Sequence, residues 1–400
     1  MKIKEWIPGS FPIPFFQTWC CPRSSVTPAR LNPAVSGDDD IFRELSNAGL
    51  PPKMYDCVHS NLMLNRVGVD CIHYLFCDAD CREFIRNEYP PDVLMAYDRL
   101  IPTAFKADLW RYCVLYIYGG VYLDVKLMFH GGSAPQRRFP KSSDGGSAPQ
   151  RRLLISSDGG SAPQRRLLNS SAVDINLRSI ITAFWGGGVA DGGGGGDGGD
   201  GGGGGGGDGG DGGGGGDCLL VLERDSIGLW PSRRFGIHNA FIITKPKNPI
   251  LLDCIRSIVT FAKTGGYGLD IDSLNSSITV GWMTRPLFVT GPGLLGDIWR
   301  KHWRKHDGDD DGDGDDDDEC LPNSYATMAP YFRLFFEGNG RIGYFIDGSG
   351  GCGEYIPLLN VYDGYQDEYN HMTRNSNCIP HYTVLWSQGG IWGGCAPQRR

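Results

Sequence analysis

Three charged residues lie close together in the sequence and suit a polar ligand. Asp108 and Arg111 are three positions apart, so they share one face of a predicted helix. Asp124 follows a short apolar segment, which predicts that its carboxylate lies at the end of a buried strand. An ionised carboxylate is costly to bury unless a cation or a metal pairs with it. The three residues could bind a polyhydroxylated, phosphorylated ligand; alternatively, Asp108 and Arg111 form a helix ion pair and Asp124 caps a loop.

The elements that must position these side chains are predicted within residues 107–125. Positions 108–118 are apolar nearly all round, which indicates a helix buried on most sides. Gly119 and Gly120 end that helix, and 121–125 have the β-branched and aromatic residues of a strand. Comparable patterns predict strands at 13–19, 73–76 and 239–244, and helices from Pro51-Pro52, at 81–87 with Asp80 as N-cap, at 92–100 and at 249–262. Their alternation predicts an α/β fold with a largely parallel sheet, in which ligands sit at the carboxyl ends of the strands.

Low-complexity tracts carry most of the unusual composition. Of the 60 glycines in 400 residues, 24 lie in 186–217 together with 6 aspartates, and 306–319 contain 10 acidic residues. These 16 carboxylates exceed the formal net charge of −8, so the acidity says nothing about the partners of the folded part. The remaining sequence is rich in Trp, Tyr, Phe and Leu, and it is long enough for one large domain or two small ones.

An octapeptide repeat, Gly-Gly-Ser-Ala-Pro-Gln-Arg-Arg, starts at Gly131, Gly145 and Gly159, and a variant starts at Gly393. The unit lacks the length and the hydrophobic face of a solenoid repeat, so we interpret 131–171 as disordered low-complexity sequence. Its arginine pairs could contact nucleic-acid phosphates. They have neither interleaved aromatic residues nor a folded basic groove, and we therefore expect no nucleic-acid partner.

The residues around Asp108 and Asp124 resemble those of a known enzyme family. Ala107-Asp108-Leu109-Trp110-Arg111-Tyr112, followed by Tyr118-Gly119-Gly120-Val121-Tyr122-Leu123-Asp124, is similar to the sugar-binding region of glycosyltransferase family 32. That group contains fungal initiating mannosyltransferases and relatives in large DNA viruses, and clostridial glucosylating toxins share its core pattern. Further agreement comes from Ile13-Pro14, Gln17-x-Trp19, Asn239, Lys245-Pro246, Asn248-Pro249, Thr290-Gly291-Pro292, His381 and Trp386.

The resemblance implies a GT-A fold, the Rossmann-like fold of nucleotide-diphosphate-sugar transferases, here with disordered low-complexity insertions. It implies a UDP- or GDP-hexose donor, a glycan, protein or lipid acceptor, transfer with retention at the anomeric carbon, and a divalent cation, Mn²⁺ or Mg²⁺. By the same resemblance Asp124 and Asn239 are catalytic, and Asp124 and His381 contact the metal. Substrate-binding roles fall to the other matched residues, which are Trp19 for the nucleobase, Asp108, Arg111 and Tyr122 for the sugar region, and Trp386 for the diphosphate. Lys126, which departs from the family's pattern, is a further candidate for substrate binding.

Lys126 stands where the second acid of the family's Asp-x-Asp motif belongs. Positions i and i+2 of a strand point to the same face, so we expect its ammonium near Asp124. A cation in place of an acid reverses an interaction worth about 4 kcal/mol at a separation of about 4 Å and an effective dielectric near 20. Our hypothesis is that metal is used weakly, through Asp124 and His381. The alternative is that Lys126 neutralises the diphosphate directly.

The predicted glycosyltransferase domain is interrupted by the tracts. Residues 1–130 bind the nucleotide sugar, 218–305 form the acceptor side and 320–392 close the site, whereas 131–171, 186–217, 306–319 and 393–400 are inserts or tail. The leading interpretation is an active hexosyltransferase. A catalytically degenerate sugar-nucleotide-binding protein is the alternative, because Lys126 departs from the motif and the first insert begins a few residues after Asp124.

The expected location is cytoplasmic, meaning the host cytoplasm or the virion if the protein is viral. No window of 18 consecutive apolar residues occurs in the sequence, and no apolar leader follows Met1. This pattern predicts a chain with neither a transmembrane anchor nor a signal peptide.

Overall fold

The computed structural model describes residues 3–19, 29–31, 50–65, 69–129, 176–185, 218–223, 236–266, 285–306, 332–337, 341–346, 354–375, 384–385 and 390–393. Within these ranges the strands are β1 (Ile13–Thr18), β2 (Ala29–Leu31), β3 (Cys71–Phe76), β4 (Gly120–Leu123), β5 (Leu127–Phe129), β6 (Cys218–Glu223), β7 (Ile237–Thr244), β8 (Phe332–Glu337), β9 (Arg341–Ile346) and β10 (Glu354–Val361). The helices are α1 (Pro52–Leu64), α2 (Asp78–Glu88), α3 (Pro91–Arg99), α4 (Thr103–Tyr118), α5 (Leu177–Trp185), α6 (Pro249–Thr264), α7 (Pro292–His306) and α8 (Tyr365–Asn375), and a short 3-10 helix spans Arg285–Phe288.

The low-complexity tracts 131–171 and 186–217 lie outside the described residues, as does 306–319 apart from His306. The disorder expected of them, and the division of the chain that they define, therefore stay predictions. Among the described helices, none has the length and apolar character needed to cross a bilayer.

The strands of the described residues form one mixed sheet in the order β2-β3-β1-β4-β7-β6-β8-β9-β10-β5. The parallel arrangement expected from the sequence holds for β3, β1 and β4. Beyond β4 most neighbours are antiparallel. β8, β9 and β10 follow one another through short connections and pair as hairpins, which are antiparallel by geometry. The sheet as a whole is thus mixed rather than largely parallel.

The chain leaves β4 earlier than the sequence predicts. β4 ends at Leu123, and 124–126 form a turn in which the Leu127 N–H donates to the Asp124 carbonyl at 2.9 Å. β5 follows at once and pairs with β10 at the far end of the strand order. Six strand spacings in a flat sheet would cover roughly 29 Å, whereas the chain from Leu123 to Leu127 reaches about 15 Å at most. The sheet between β4 and β5 must therefore curve back on itself.

The five predicted helices are present, with shifted starts for α2 and α4, whereas α5, α7 and α8 were not predicted. α4 begins at Thr103, ahead of the expected residue 108, because the apolar face continues through Phe105. α2 begins at Asp78, so the prediction that Asp80 is the N-cap is wrong. Asp80 lies instead in the first turn of α2, where its carboxylate accepts the Cys77 N–H at 3.0 Å.

Helices cover both faces of the sheet, because successive strand residues point to opposite sides. One core contains Phe16, Tyr74 and Tyr122 from the strands, packed against apolar residues of α2, α3, α4, α6 and α7. The other contains Phe15 and Val121, packed against α1 and α5. Successive residues of β1 and of β4 are thus buried on opposite faces of the sheet. A shift of β1 by one residue against β4 would exchange the two faces, so the burial fixes the register.

Candidate functional site

Two elements bring the charged residues together. α4 contains Asp108 and Arg111, and β4, which follows it after the glycine pair, leads into Asp124. The helix ends at Gly119, whose φ of 64° lies in the left-handed region that favours glycine. The chain thereby reverses, and the strand end lies beside the middle of the helix. We call Asp108, Arg111, Asp124 and Lys126 the charged cluster.

Arg111 is the centre of the charged cluster. Its Nη2 lies 3.0 Å from Asp108 Oδ1 and 3.5 Å from Asp124 Oδ1. Nη1 donates to the Asn239 carbonyl at 2.7 Å. The guanidinium also stacks on the Tyr122 ring, 4.3 Å from the ring centroid. A planar group with several donors suits this place better than a lysine, which offers a single charged point.

Asp108 is buried and has hydrogen-bond donors at both oxygens. Oδ1 accepts from the Asn239 amide at 3.0 Å in addition to Arg111, and Oδ2 accepts from the Thr290 hydroxyl at 2.8 Å. Burial raises the pKa of Asp108, and Arg111 and the hydrogen bonds only partly oppose that rise. Its carboxylate thus joins α4 to the segment that precedes α7.

Asp124 is shared between Tyr122, Arg111 and Lys126. The Tyr122 hydroxyl donates to Oδ1 at 2.7 Å, and the Lys126 ammonium lies 3.1 Å from Oδ2. Burial alone would raise the pKa of Asp124, but Lys126 and Arg111 outweigh it and lower the pKa to about 2. The contact between Lys126 and Asp124 was expected, although a turn rather than a strand face brings them together.

Exposure divides the charged cluster into two halves. The side chains of Asp108 and Arg111 are 11% and 6% exposed, whereas those of Asp124 and Lys126 are 19% and 28% exposed. A ligand can therefore contact Asp124 and Lys126 in the present arrangement. Asp108 and Arg111 are less exposed, and Arg111 contacts Asp124 from the buried side.

A resident divalent cation does not fit the described residues as they are arranged. Mn²⁺ and Mg²⁺ take oxygen ligands, chiefly carboxylates, carbonyls and waters. Asp124 offers one carboxylate, with Lys126 on one oxygen and Tyr122 on the other. Within the described ranges no group of three or more His, Cys, Asp or Glu residues could hold an ion. The other expected ligand, His381, lies outside the described residues.

Asn239 lies on β7, the neighbour of β4 in the sheet. Its amide Nδ2 donates to Asp108 Oδ1 at 3.0 Å and to the Tyr112 hydroxyl at 3.1 Å, and the residue is 5% exposed. The structure therefore brings Asn239 and Tyr122 into the network of the charged cluster. A catalytic role for Asn239 stays a prediction.

Trp19 lies near the same edge of the sheet. β1 runs parallel to β4 with Phe16 opposite Tyr122, so the carboxyl ends of both strands meet there. The Trp19 N–H donates to the Phe76 carbonyl at 3.0 Å, and the buried indole Nε1 has no hydrogen-bond partner among the described residues. Trp386, the other expected aromatic contact, lies outside the described residues. The substrate-binding roles of both tryptophans stay predictions.

The sequence interpretation missed three residues that contact the site. Thr290 and Tyr112 support Asp108 and Asn239, and Tyr112 also donates to the Thr290 carbonyl at 2.9 Å. Tyr365, at the start of α8, places its ring 5.8 Å from the Lys126 ammonium. The motif Thr290-Gly291-Pro292 was a usable signal for Thr290, whereas no local pattern links Tyr365 to Lys126.

Comparison with known proteins identifies the segment that contains the site. Residues 55–131 match a family model described as "Glycosyltransferase sugar-binding region containing DXD motif". The chain is 43% identical over 54 residues to an uncharacterized glycosyltransferase of Acanthamoeba polyphaga mimivirus, which covers 13% of this chain and 22% of the viral protein. It is 37% identical over 71 residues to inositol phosphoceramide mannosyltransferase 3 of Schizosaccharomyces pombe, which covers 18% of this chain and 20% of the yeast protein.

The match thus spans about a fifth of the length of these curated relatives. All four members of the charged cluster fall inside the matched segment. Residues 55–131 are therefore similar to a glycosyltransferase sugar-binding region, and the assignment of its DXD motif to Asp124-Val125-Lys126 stays a prediction from the sequence.

Proposed function

We propose that the protein is a GT-A-type glycosyltransferase that moves a hexose from a UDP- or GDP-hexose to a glycan, protein or lipid acceptor, with retention at the anomeric carbon. The observation that carries the proposal is the charged cluster itself. Two carboxylates and two cations are held by specific hydrogen bonds at the carboxyl edge of β1 and β4, inside the matched sugar-binding region. Open α/β sheets bind their ligands at this edge.

The chemistry asks for groups that hold a polar sugar and stabilise a departing diphosphate. Asp124 is the carboxylate of the cluster that reaches the solvent, and its low pKa keeps it ionised and able to accept from a sugar hydroxyl. Lys126 is the adjacent cation, suited to the phosphates. Arg111 and Tyr122 both contact Oδ1 of Asp124, so the carboxylate is held in one orientation before the donor sugar binds.

A panel of UDP- and GDP-sugars, assayed for transfer and for slow hydrolysis, tests the proposal. The variant Asp124→Asn keeps the shape of the side chain but removes its charge, and we expect turnover to fall about 100-fold or more. Asp363→Asn, at an exposed position before α8, is the matched control and should retain wild-type turnover. The proposal would be contradicted if none of the donors were turned over, or if the Asp124→Asn variant were unimpaired.

A second candidate is a sugar-nucleotide-binding protein without turnover, and the Lys126–Asp124 ion pair favours it because it departs from the DXD pattern. Calorimetry distinguishes the two. Donor binding with no released nucleotide after prolonged incubation supports the binding protein, whereas nucleotide release that depends on Asp124 supports the enzyme.

A further inference from the structure

A lysine instead of an acid at position 126 makes the site more positive by two units of charge, which is the charge of one divalent metal ion. Glycosyltransferases with a DXD motif typically use a divalent cation, which two acids of the motif help to hold. With an acid at position 126, the cluster would have three carboxylates against Arg111 and a charge of about −2 at neutral pH. With Lys126 the charges of Asp108, Asp124, Arg111 and Lys126 cancel. The side chain thus supplies two units of positive charge relative to the acid.

The geometry agrees with this charge balance. The Lys126 ammonium lies 3.1 Å from Asp124 Oδ2 and Oδ1 accepts from Tyr122, so both oxygens of this carboxylate already have partners. A cation that bound Asp124 would have to displace the ammonium and then stand beside it. Repulsion between a divalent ion and a unit charge about 4 Å away amounts to several kcal/mol at an effective dielectric near 20.

Lys126 also retains the means to bind an anion. An ammonium has three donors, and 28% of the side chain is exposed to solvent. Its backbone is fixed, because the Tyr362 N–H donates to the Lys126 carbonyl at 3.1 Å. The Tyr365 ring lies 5.8 Å from the ammonium and covers part of it. The cation is therefore held at the solvent side of the charged cluster without using all of its hydrogen bonds.

We propose that Lys126 takes the place of the divalent cation and binds the diphosphate of the donor directly, so that donor binding needs no metal. The inference rests on the proposed function. It extends that function by naming which group of this chain neutralises the phosphates. Asp124 then orients Lys126 through the ion pair in addition to facing the sugar.

Calorimetry of the full chain with UDP and with GDP tests the inference. For each nucleotide that binds, we expect the dissociation constant measured in EDTA to agree within about two-fold with the one measured in Mn²⁺. Lys126→Ala should weaken binding about ten-fold or more, and Mn²⁺ should not restore it, whereas Lys126→Arg should retain most of the affinity. Lys301→Ala, at an exposed position of α7, is the control and should bind as the wild type does.

The reverse experiment rebuilds the acidic motif. Lys126→Asp should bind more Mn²⁺ than the wild type in electron paramagnetic resonance titrations without nucleotide, and its nucleotide binding should depend on Mn²⁺. The wild-type chain sets the baseline, because the 10 acidic residues of 306–319 can take up Mn²⁺ by themselves. This comparison uses no enzymatic readout.

The failures are distinct. Nucleotide binding by the wild-type chain that Mn²⁺ tightens ten-fold or more would overturn the inference while leaving the proposed function intact. No binding of UDP or GDP in either condition would count against the proposed function, and with it against the inference. The measurements on the wild-type chain decide both points even where a variant fails to fold, which circular dichroism reveals.

Discussion

At the scale of single residues, Arg111 connects three elements through one side chain. It contacts Asp108 on its own helix, the carbonyl of Asn239 on β7, and the ring of Tyr122 on β4. Each contact uses a different part of the guanidinium. The residue is thus a structural centre of the site as well as a source of positive charge.

We expect Arg111→Lys to lower the free energy of unfolding by about 2 kcal/mol, because a buried charged hydrogen-bond network loses donors that an ammonium does not replace. Urea unfolding of both proteins, compared through the midpoint and slope, measures the change. Arg256→Lys is the matched control, because Arg256 lies on the surface of α6 in an exposed pair with Asp253, and its effect should stay within about 0.5 kcal/mol. Equal effects of the two variants would show that the contacts of Arg111 contribute little.

His73 gives the protein a dependence on pH that is separate from the charged cluster. It is fully buried on β3, where its Nε2 lies 2.8 Å from Gln17 Oε1, and burial lowers its pKa from 6.5 to about 3. A depressed pKa means that the unfolded chain takes up the proton first. The stability due to neutral His73 is complete above pH 6.5 and is lost as the pH falls towards 3.

The free energy of unfolding should therefore fall by about 1.4 kcal/mol for each pH unit in this window because of His73 alone. Urea unfolding of the wild type and of His73→Gln at pH 7 and pH 5 isolates the effect. The free energy of unfolding should change less with pH in the variant than in the wild type. His371→Gln, at an exposed position of α8, is the control and should keep the wild-type slope. An unchanged slope in His73→Gln would contradict the assignment.

Residue types and spacing predicted the pairing of Asp108 with Arg111 and their closeness to Asp124, because helix period and strand end determine both. They did not predict the support from Thr290, Tyr112 and Tyr365. Those contacts join elements that are distant in the chain, and their geometry depends on how the whole sheet folds. Asn239 entered the prediction through a family resemblance rather than through any local pattern.

At the scale of elements, the junction of α4 and β4 depends on two adjacent glycines with different surroundings. Gly119 ends the helix, and Gly120 begins the strand with a φ of 96°. A Cβ atom at Gly120 would lie 2.4 Å from the carbonyl oxygen of Pro14 on β1. The close approach of β1 and β4 beside the site therefore requires glycine here.

Gly120→Ala should cost about 4 kcal/mol or more, because a backbone oxygen cannot move aside without breaking the pairing of β1 with β4. Gly265→Ala is the matched control. Gly265 has a φ of 72° at the end of α6, and a Cβ there would meet no atom within 4 Å. Its cost should be about 1 to 2 kcal/mol, from the left-handed backbone alone. Thermal unfolding of both variants measures the difference, and similar losses would mean that the clash with Pro14 is relieved easily.

The boundaries of helices and strands were predicted correctly where a local sequence signal ends the element. Other boundaries differ from the predicted ones by a few residues. Gly119 ended α4 as predicted, because the left-handed residue is a local signal. The starts of α2 and α4 and the end of β4 differed, because the apolar pattern continues past the boundary and only tertiary contacts decide where hydrogen bonding changes.

At the scale of the whole molecule, the alternation of helices and strands predicted the α/β class and a largely parallel sheet, and the parallel arrangement holds for β3, β1 and β4. The successive hairpins of β8, β9 and β10 were not predicted, because no strand was expected in that part of the sequence. The curvature of the sheet is also a property of the complete strand order, which places β5 next to β10 although it follows β4 in the chain.

The turn 124–126 consequently connects β4, in the interior of the sheet, directly to the edge strand β5, and we expect a ligand bound there to reduce local opening on both sides of the turn. A ligand that binds only the folded state stabilises it by about 2.7 kcal/mol at 100 times its dissociation constant. Since Leu127 pairs with Val361, local opening of β10 disturbs the same turn. Saturating nucleotide should therefore slow amide hydrogen exchange in β10 as well as in β5, and leave β2 at the opposite edge unchanged. A fall in exchange confined to 120–129 would show that β10 opens independently of the turn.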